Sequence, residues 1–243
     1  MRKIVVCNAK GGCSKTTTAA ALATGATIQG KKALAIDLDP QGNLTFIMGG
    51  NPQAIGSYEL ITGKVKPRET VQKTEQGDLI SASLQLSSAN NAGVMALNKA
   101  LTQLEPFYDI VVIDTSPTFS AMLLNALAAA TDVIIPINAD VLNVMGLVSL
   151  LQTITKAKAA YNKKLNILGV LLTQYAPRTV LARDIAKNIR SRCKDIDVPV
   201  FNTAIRASTA VKEAQFLQKS IYEYAPKSNP TIDYLNLLKE IKI

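Results

Sequence analysis

A short loop near the amino terminus carries the residues best suited to chemistry. The segment IVVCNAKGGCSKTTTAAALATG runs from an apolar stretch through glycines and lysines into an alanine-rich stretch. Gly11 and Gly12 have no Cβ atoms, so their backbone can approach an anion, and the start of a following helix offers N–H groups. Lys15 would reach β- and γ-phosphate oxygens, and the Thr16 hydroxyl could ligate Mg²⁺. Together these residues predict a site for nucleotide phosphates.

The loop departs from the usual phosphate-loop pattern at three positions. That pattern is glycine, four residues, then Gly-Lys-Ser/Thr, but Ala9 and Ser14 stand where the two fixed glycines are expected. An additional lysine, Lys10, precedes the glycine pair. A glycine-rich turn without a ligand is the alternative interpretation. Cys13 could have a lowered pKa between lysines and a helix start, but a small residue that fills the loop is the simpler interpretation.

Three aspartates follow apolar runs that predict buried strands. Asp37 and Asp39 close the run in AIDLDPQGN, and Asp114 closes the run IVVID. A doubly wound sheet binds its ligands at the carboxyl ends of the strands, so the three carboxylates are expected to converge on the loop. We therefore expect a phosphate and metal centre, in which a positioned water attacks the γ-phosphoryl group without a covalent intermediate.

The elements that would position these residues alternate between strand-like and helix-like stretches. Continuous apolar runs are typical of strands covered by helices on both faces, which predicts one domain over residues 1–243 with a single doubly wound, mostly parallel α/β sheet. The predicted strands are 4–7, 33–37, 78–83, 110–113, 133–137, 167–173 and 200–201. The predicted helices are 15–29, 89–104, 120–130, 142–161, 180–194, 208–217 and 231–242, with short helices and turns between 38 and 76.

Composition excludes several classes of site. The 243 residues include three cysteines without metal-ligand spacing and no histidine. A disulfide scaffold, a histidine-ligated metal and a Ser-His or Cys-His nucleophile are therefore excluded. No apolar run reaches the roughly 18 uncharged residues of a membrane-spanning helix, and residues 1–8 resemble a strand that enters the loop more than a signal peptide. We expect a cytoplasmic protein.

The excess positive charge lies in the carboxyl-terminal half. Residues 1–150 hold eleven basic and eleven acidic side chains, whereas residues 151–243 hold sixteen and seven, which accounts for the net charge of +9. Four basic residues recur on one face of a predicted helix, with Leu181, Ile185 and Ile189 on its buried side. These four are Arg183, Lys187, Arg190 and Lys194. Such a stripe suits sequence-nonspecific contacts with nucleic-acid phosphates, and a solvated helix face is the alternative.

The motifs resemble those of a known family. KGGCSKTT, DLDPQGN and YDIVVIDTSP, in this order, resemble the deviant Walker-box ATPases of the ParA/MinD class. The likeness to the ParA, or Soj-like, partition proteins covers nearly the whole chain, including GVLLTQYAPRTVLARDI and the segment from FNTAIRAS to the carboxyl terminus. The resemblance implies a P-loop NTPase fold with a deviant Walker A loop, ATP and Mg²⁺ as cofactors, and slow hydrolysis of ATP stimulated by partners.

The resemblance also implies roles for individual residues. Lys10 matches the signature lysine, which in this family crosses the interface of an ATP-sandwich homodimer to the partner's nucleotide. Lys15 matches the ordinary phosphate-loop lysine, and Asp39 matches the acid that orients the attacking water. The implied metal ligands are Thr16, Asp37 and Asp114. The implied nucleotide contacts are Lys10, Gly11, Gly12, Cys13, Ser14, Lys15, Thr16, Thr17 and Asp114 around the phosphates, and Thr173, Tyr224 and Pro226 near the adenine.

Partners follow from the same resemblance. Arg178, Arg206 and Lys212 match regions where relatives place DNA-contacting side chains, which extends the basic stripe. The expected partners are nonspecific double-stranded DNA, with association to the nucleoid, and a ParB-like or other adaptor protein. A MinD-like membrane attachment is disfavoured, because the terminal segment TIDYLNLLKEIKI is short and equally typical of a docked helix.

Three other functions remain open at this point. The same core could position another cargo, such as carboxysomes. It could also belong to a metabolic or electron-transfer enzyme like the nitrogenase iron protein, although Cys7, Cys13 and Cys193 do not match the cluster-binding pattern of that protein. Finally, the chain could bind nucleotide and scarcely hydrolyse it.

Ser14 is the clearest departure from the family pattern, in which glycine precedes the phosphate-loop lysine. If the backbone at this position needs a positive φ, serine would carry strain of about 1 kcal/mol or shift the loop. We therefore expect the chain to bind nucleotide more weakly, or turn it over more slowly, than a glycine-bearing loop would.

Overall fold

The computed structural model describes residues 1–118, 120–138 and 143–243. Its strands are β1 (Arg2–Val6), β2 (Ala33–Leu38), β3 (Val71–Thr74), β4 (Gly77–Ile80), β5 (Ile110–Thr115), β6 (Asp132–Asn138), β7 (Asn166–Tyr175) and β8 (Val200–Arg206). Within this part of the chain they form one eight-stranded sheet in the order β3-β4-β2-β5-β1-β6-β7-β8. The pair β3 and β4 is antiparallel, and the other neighbouring strands are parallel. The predicted doubly wound, mostly parallel sheet is confirmed.

Helices connect the parallel strands. They are α1 (Lys15–Ile28), α2 (Asn43–Ile47), α3 (Ser57–Thr62), α4 (Ala96–Leu104), α5 (Ala121–Ala129), α6 (Asn143–Ala160), α7 (Val180–Asp195), α8 (Thr209–Phe216), α9 (Ile221–Tyr224) and α10 (Asn229–Glu240). Two 3₁₀ segments, Pro67–Thr70 and Leu84–Asn91, lie outside these helices.

Side chains on the two faces of the sheet pack into two separate apolar layers. Val5 and Ile36 point into the layer that includes α4, α5 and part of α6. Their neighbours Ile4 and Ala35 point into the layer with α1 and α10. Successive side chains of a strand alternate between faces, and here both faces are covered, so the strands are apolar throughout. The small side chains of α1 let this helix pack closely on the sheet and carry the loop at its start.

Several predicted elements differ from the observed ones. The helix predicted over 89–104 begins only at Ala96, because residues 84–91 form 3₁₀ turns. Strand β3 and helix α9 were not predicted, since both are short and β3 is a polar edge strand, VQKT. Strand β8 is longer than 200–201 and runs to Arg206. The predicted start of the long helix, Leu142, lies outside the described residues; the helix is present from Asn143 to Ala160.

None of the helices in the described ranges combines the length and the hydrophobicity needed to cross a membrane.

Candidate functional site

The loop between β1 and α1 has the backbone of an anion cradle. Gly12 has φ +72° and Ser14 has φ +66° and ψ +28°, after which α1 begins at Lys15. The space beside Gly11 and Gly12 is open, with no heavy atom within 4 Å of a Cβ built there. Left-handed backbone at these positions turns successive N–H groups toward one side, as phosphate loops require. The condition set for strain at Ser14, a positive φ, is therefore met.

The interior of the loop is packed by two side chains. The Lys15 side chain is buried, and its ammonium donates to the carbonyl oxygen of Lys10 at 2.9 Å. The Cys13 thiol donates to the same carbonyl at 3.2 Å. Burial raises the pKa of the Cys13 thiol, and the Lys15 charge offsets this only in part. Cys13 is therefore a small residue that fills the loop, and its contribution to a nucleotide site lies in its backbone.

Two residues at the end of β7 form hydrogen bonds with the loop. The Thr173 hydroxyl donates to the Cys13 carbonyl oxygen at 3.1 Å and is fully buried. The Gln174 side-chain amide donates to the Gly12 carbonyl oxygen at 2.9 Å and to the Ser14 hydroxyl oxygen at 3.1 Å. Thr173 thus supports the loop, and its expected place near an adenine stays a prediction. Gln174 was missed, although it adjoins Thr173 in the motif LLTQY.

Two acids from neighbouring strands meet beside the loop. Asp37 on β2 and Asp114 on β5 are paired in the sheet register, and both are fully buried. The Asp37 carboxylate accepts from the backbone N–H and the hydroxyl of Thr45, both at 2.8 Å, and from the Asp39 N–H at 3.0 Å. Neither carboxylate oxygen of Asp114 has a hydrogen-bond partner among the described residues. The site thus contains a buried, unsatisfied acid.

The electrostatics of this pair of carboxyl groups favour the binding of a cation. Burial raises the pKa of Asp37 to about 6, against the effect of its hydrogen bonds. Burial and the neighbouring Asp37 raise the pKa of Asp114 well above its usual range, and the nearby Thr16 hydroxyl and Lys15 ammonium oppose this only in part. Mg²⁺ prefers carboxylate and hydroxyl oxygens with water and phosphate, so the donor set of Thr16, Asp37 and Asp114 fits this ion.

Asp39 lies at the mouth of the site. It is largely buried, and its carboxylate accepts from the backbone N–H of Gln41 at 3.1 Å. Asp39 lines a groove of about 440 Å³ together with Gly11, Gly12, Ser14, Lys15, Thr16 and Thr17. Gln41, Asn43, Ile47, Pro117, Gln174 and Gln215 complete this lining. The groove therefore joins the loop, the residues after β2 and the carboxyl-terminal half.

Two residues expected near an adenine do not line this groove. Tyr224 ends α9, and its hydroxyl donates to the Glu213 carboxylate at 3.0 Å on the surface. Pro226 is exposed in the following turn. From the same half, the Gln215 side chain lines the groove, and its amide donates to the Thr17 hydroxyl at 2.8 Å. The contact of Tyr224 and Pro226 with adenine stays a prediction.

The predicted basic stripe lies on α7. Its buried side is formed by Ala182, Ala186, Ile189 and Cys193. The side chains of Arg183, Lys187 and Lys194 are exposed, and Arg190 is half-buried. Leu181 was expected on the buried side but is 65% exposed, because it precedes that side by about a quarter turn. Arg178 and Lys212, outside this helix, are also exposed.

Arg206 does not add to this basic surface. Its guanidinium donates to both carboxylate oxygens of Asp233, with the shortest contact at 2.6 Å. Asp233 is buried, and it also accepts from the backbone N–H of Arg206 at 2.9 Å. A bidentate pair of this kind fixes the arginine and neutralises its charge. The pair joins β8 to α10, and the contact of Arg206 with DNA stays a prediction.

Known protein families and proteins are similar to this chain in sequence. A family model described as an AAA domain matches residues 1–167. The chromosome-partitioning ATPase Soj of Thermus thermophilus is 35% identical over 99% of this chain and 95% of its own length. The chromosome partitioning protein ParA of Caulobacter vibrioides is 32% identical over 99% of this chain and 94% of its own length.

A solved structure extends the comparison to the bound state. The cobyrinic acid a,c-diamide synthase of Mycobacterium smegmatis, with bound ADP and magnesium, superposes with a TM-score of 0.86. It is 33% identical, and the alignment covers 100% of this chain and 96% of that one. The fold described above is thus shared with a protein that holds a nucleotide and Mg²⁺.

Proposed function

The chain belongs to the family of Soj and ParA chromosome-partitioning ATPases, and from this premise we propose that it is an ATP-dependent partition ATPase that binds DNA nonspecifically. The synthase name belongs to the M. smegmatis protein, whereas the T. thermophilus and C. vibrioides relatives match over nearly their whole length and carry partition names. The observation that carries the proposal is the buried pair Asp37 and Asp114 beside a phosphate-type loop. This combination has no use in a purely structural turn.

Each part of the site has a task in this proposal. Backbone N–H groups of the loop bind phosphate oxygens, and Lys15 moves from its contact with the Lys10 carbonyl to the β- and γ-phosphates. Thr16, Asp37 and Asp114 would hold Mg²⁺, which would neutralise charge on the phosphates when bound. Asp39, at the mouth of the groove, orients a water and accepts its proton. No residue of the chain needs to form a covalent intermediate.

Dimerisation is the proposed role of Lys10. It lies in the loop, half-buried, four residues before the helix N-cap. A second cation that reaches the nucleotide only from a partner subunit would act as arginine fingers do, since it adds positive charge where the transition state develops negative charge. Hydrolysis would then depend on assembly of two chains around two nucleotides.

DNA binding is the proposed role of α7 and its surroundings. The stripe begins soon after Gln174, which contacts the loop, and Lys212 is on α8, whose Gln215 contacts Thr17 of α1. Dimerisation would double the basic surface and thus strengthen the electrostatic attraction to phosphates. Nucleotide acts in this scheme as a switch that changes which assembly is populated.

The remaining parts of the proposal concern the setting of the protein. Residues 1–243 would act as one ATPase domain on the nucleoid in the cytoplasm. A ParB-like adaptor bound to a plasmid or chromosomal site, or an adaptor on another cargo, would stimulate hydrolysis and release the monomers from DNA. The positive φ of Ser14 favours slow intrinsic turnover.

The test compares DNA retention with ADP, ATP and a nonhydrolysable ATP analogue. Wild type is measured beside Lys10→Ala and the control Lys31→Ala, which removes an exposed lysine from the turn that precedes β2 at the opposite edge of the sheet. We expect the analogue to give dimers and salt-sensitive DNA retention in wild type and Lys31→Ala. Lys10→Ala should bind nucleotide and remain monomeric. Equal retention of wild type with ADP and ATP would contradict the proposed switch.

A further inference from the structure

We propose that Gln174 is a positioning residue that holds the phosphate loop through the side chain of Ser14. The inference rests on the proposed function, because the loop matters only if it binds a nucleotide. It assigns a purpose to the serine that stands where relatives of the ParA class carry glycine. The serine and the glutamine act in this chain as a pair.

Gln174 contacts the loop through its side-chain amide. The Gln174 side-chain amide forms two hydrogen bonds that end on the same loop, to the Gly12 carbonyl oxygen at 2.9 Å and to the Ser14 hydroxyl oxygen at 3.1 Å. Both distances are in the normal range for N–H···O bonds. Only one of these bonds is to backbone, so only one would survive if residue 14 were glycine.

The backbone of Ser14 has a conformation that disfavours a side chain. Its φ of +66° lies in the left-handed region, where a Cβ atom is disfavoured. Ser14 is also the N-cap of α1, yet its side chain accepts no hydrogen bond from the helix N–H groups. The Ser14 hydroxyl instead accepts the bond from Gln174, which links the side chain at the left-handed position to the end of β7.

Gln174 can reach the loop because of the backbone at the end of β7. Gln174 itself has φ +50°, which interrupts the regular extended backbone near the end of β7. The preceding residue, Thr173, is anchored by its own bond to the Cys13 carbonyl oxygen. Residues 173 and 174 thus engage three consecutive loop residues, 12 to 14, and the contact to Ser14 is the one that depends on a side chain of the loop.

A double-mutant cycle tests the pairing. Affinity for a fluorescent ADP with Mg²⁺ is measured for wild type, Ser14→Ala, Gln174→Ala and the double variant. Ser14→Ala removes the hydroxyl but keeps the Cβ atom and the strain. We expect Gln174→Ala to weaken binding by about threefold to tenfold in wild type, the range for a neutral hydrogen bond or two. In the Ser14→Ala background the same change should have a clearly smaller effect. Ser14→Gly should also reduce the effect of Gln174→Ala.

A second pair of readouts separates positioning from general packing. A loop contact made equally in ground and transition states raises KM for ATP and leaves kcat nearly unchanged, and this is the expected result for Gln174→Ala. The same cycle is measured by urea unfolding without nucleotide. If wild type binds no ADP, the proposed function fails, and coupling in the unfolding cycle still supports the Ser14 and Gln174 pair. Additive effects in both the binding and the unfolding cycle would overturn the inference.

Discussion

Asp37 and Asp114 lie opposite each other on neighbouring strands, and both are fully buried, but their carboxyl groups differ in hydrogen bonding. Asp37 accepts hydrogen bonds from Thr45 and Asp39, whereas Asp114 accepts none from the described residues. Ionisation of an unpaired buried carboxyl group is costly. The arrangement therefore supports the proposed cation site, in which a bound cation would compensate the charge.

Replacement of Asp114 by Asn should stabilise the metal-free protein. The substitution removes a buried carboxyl group whose raised pKa costs the folded state free energy at neutral pH, so we expect the free energy of unfolding to rise by about 1–3 kcal/mol. The stabilisation that Mg²⁺ and ADP give to wild type should be lost. Urea unfolding with and without Mg²⁺-ADP measures both effects.

Asp184→Asn is the control for this experiment, since Asp184 is exposed on α7. It should leave the free energy of unfolding and the response to Mg²⁺-ADP unchanged. A metal-free Asp114→Asn variant that is less stable than wild type would show that the carboxylate is satisfied in solution.

The sequence was sufficient for those parts of the site that follow from local pattern. Asp37 and Asp114 are predictable, because each ends an apolar run and parallel strands end at one edge of a sheet. Gln174 and Gln215 were not predictable, since their partners Ser14 and Thr17 lie 160 and 198 positions away. A glutamine carries no periodic signal, and only the fold determines which carbonyl or hydroxyl it meets.

The same limit applies to the fold and the surface. The buried strands were found from their apolar runs, but β3 was missed because its residues are polar and its pairing with β4 lies at the sheet edge. Arg206 was assigned to the basic surface from the resemblance to relatives, and a resemblance does not reveal ion pairs within this chain. Its pairing with Asp233, 27 positions away, became visible only when β8 and α10 were packed together.

Variants at Ser14 should separate backbone strain from the hydroxyl. Ser14→Gly removes both the strain, about 1–2 kcal/mol, and the bond from Gln174, while the Gln174 bond to the Gly12 carbonyl remains. Ser14→Ala removes only the bond. We therefore expect ATP affinity and turnover to rise modestly in Ser14→Gly, and ATP affinity to fall in Ser14→Ala while turnover at saturating ATP stays nearly unchanged. Steady-state phosphate release at saturating and limiting ATP measures this order.

The informative comparison is between the two Ser14 variants, because both shorten the same side chain. If Ser14→Gly neither binds nor hydrolyses ATP better than wild type, strain at this position does not limit the nucleotide cycle.

Removal of one charge from the α7 stripe should weaken DNA binding without sequence preference. Arg183 is exposed, and its guanidinium is held near the start of α7 by donation to the Pro177 carbonyl oxygen at 3.1 Å. Each lost phosphate contact lowers the slope of log affinity against log salt by about 1. We expect this change for Arg183→Ala with the ATP analogue bound, measured by fluorescence anisotropy at several salt concentrations.

Arg192→Ala is the matched control on the same helix. Arg192 lies nine positions after Arg183, which is about 180° around the helix, and its guanidinium donates to Asn188 at 2.9 Å. It should leave the salt slope nearly unchanged. Equal effects of the two variants would indicate that the whole helix, rather than the predicted face, attracts DNA.

Gly25 in α1 should be intolerant of a single added carbon. A Cβ atom there would lie 2.5 Å from Leu238 Cδ1 and 2.6 Å from the Tyr222 hydroxyl oxygen. That hydroxyl donates to the Ala21 carbonyl oxygen at 2.9 Å, so it cannot move without losing a bond. Overpacking of a close helix contact typically destabilises a protein by about 1–3 kcal/mol. We expect this loss in the urea unfolding of Gly25→Ala.

Gly146→Ala tests whether this effect is steric. Gly146 lies within α6, and no atom of the described residues lies within 4 Å of a Cβ built there. Alanine in place of a helical glycine stabilises by about 0.5–1 kcal/mol, so the same substitution should have opposite signs at the two sites. If Gly25→Ala is as stable as wild type, α10 can retreat from α1, and the loop at the start of α1 is less firmly supported than the packing indicates.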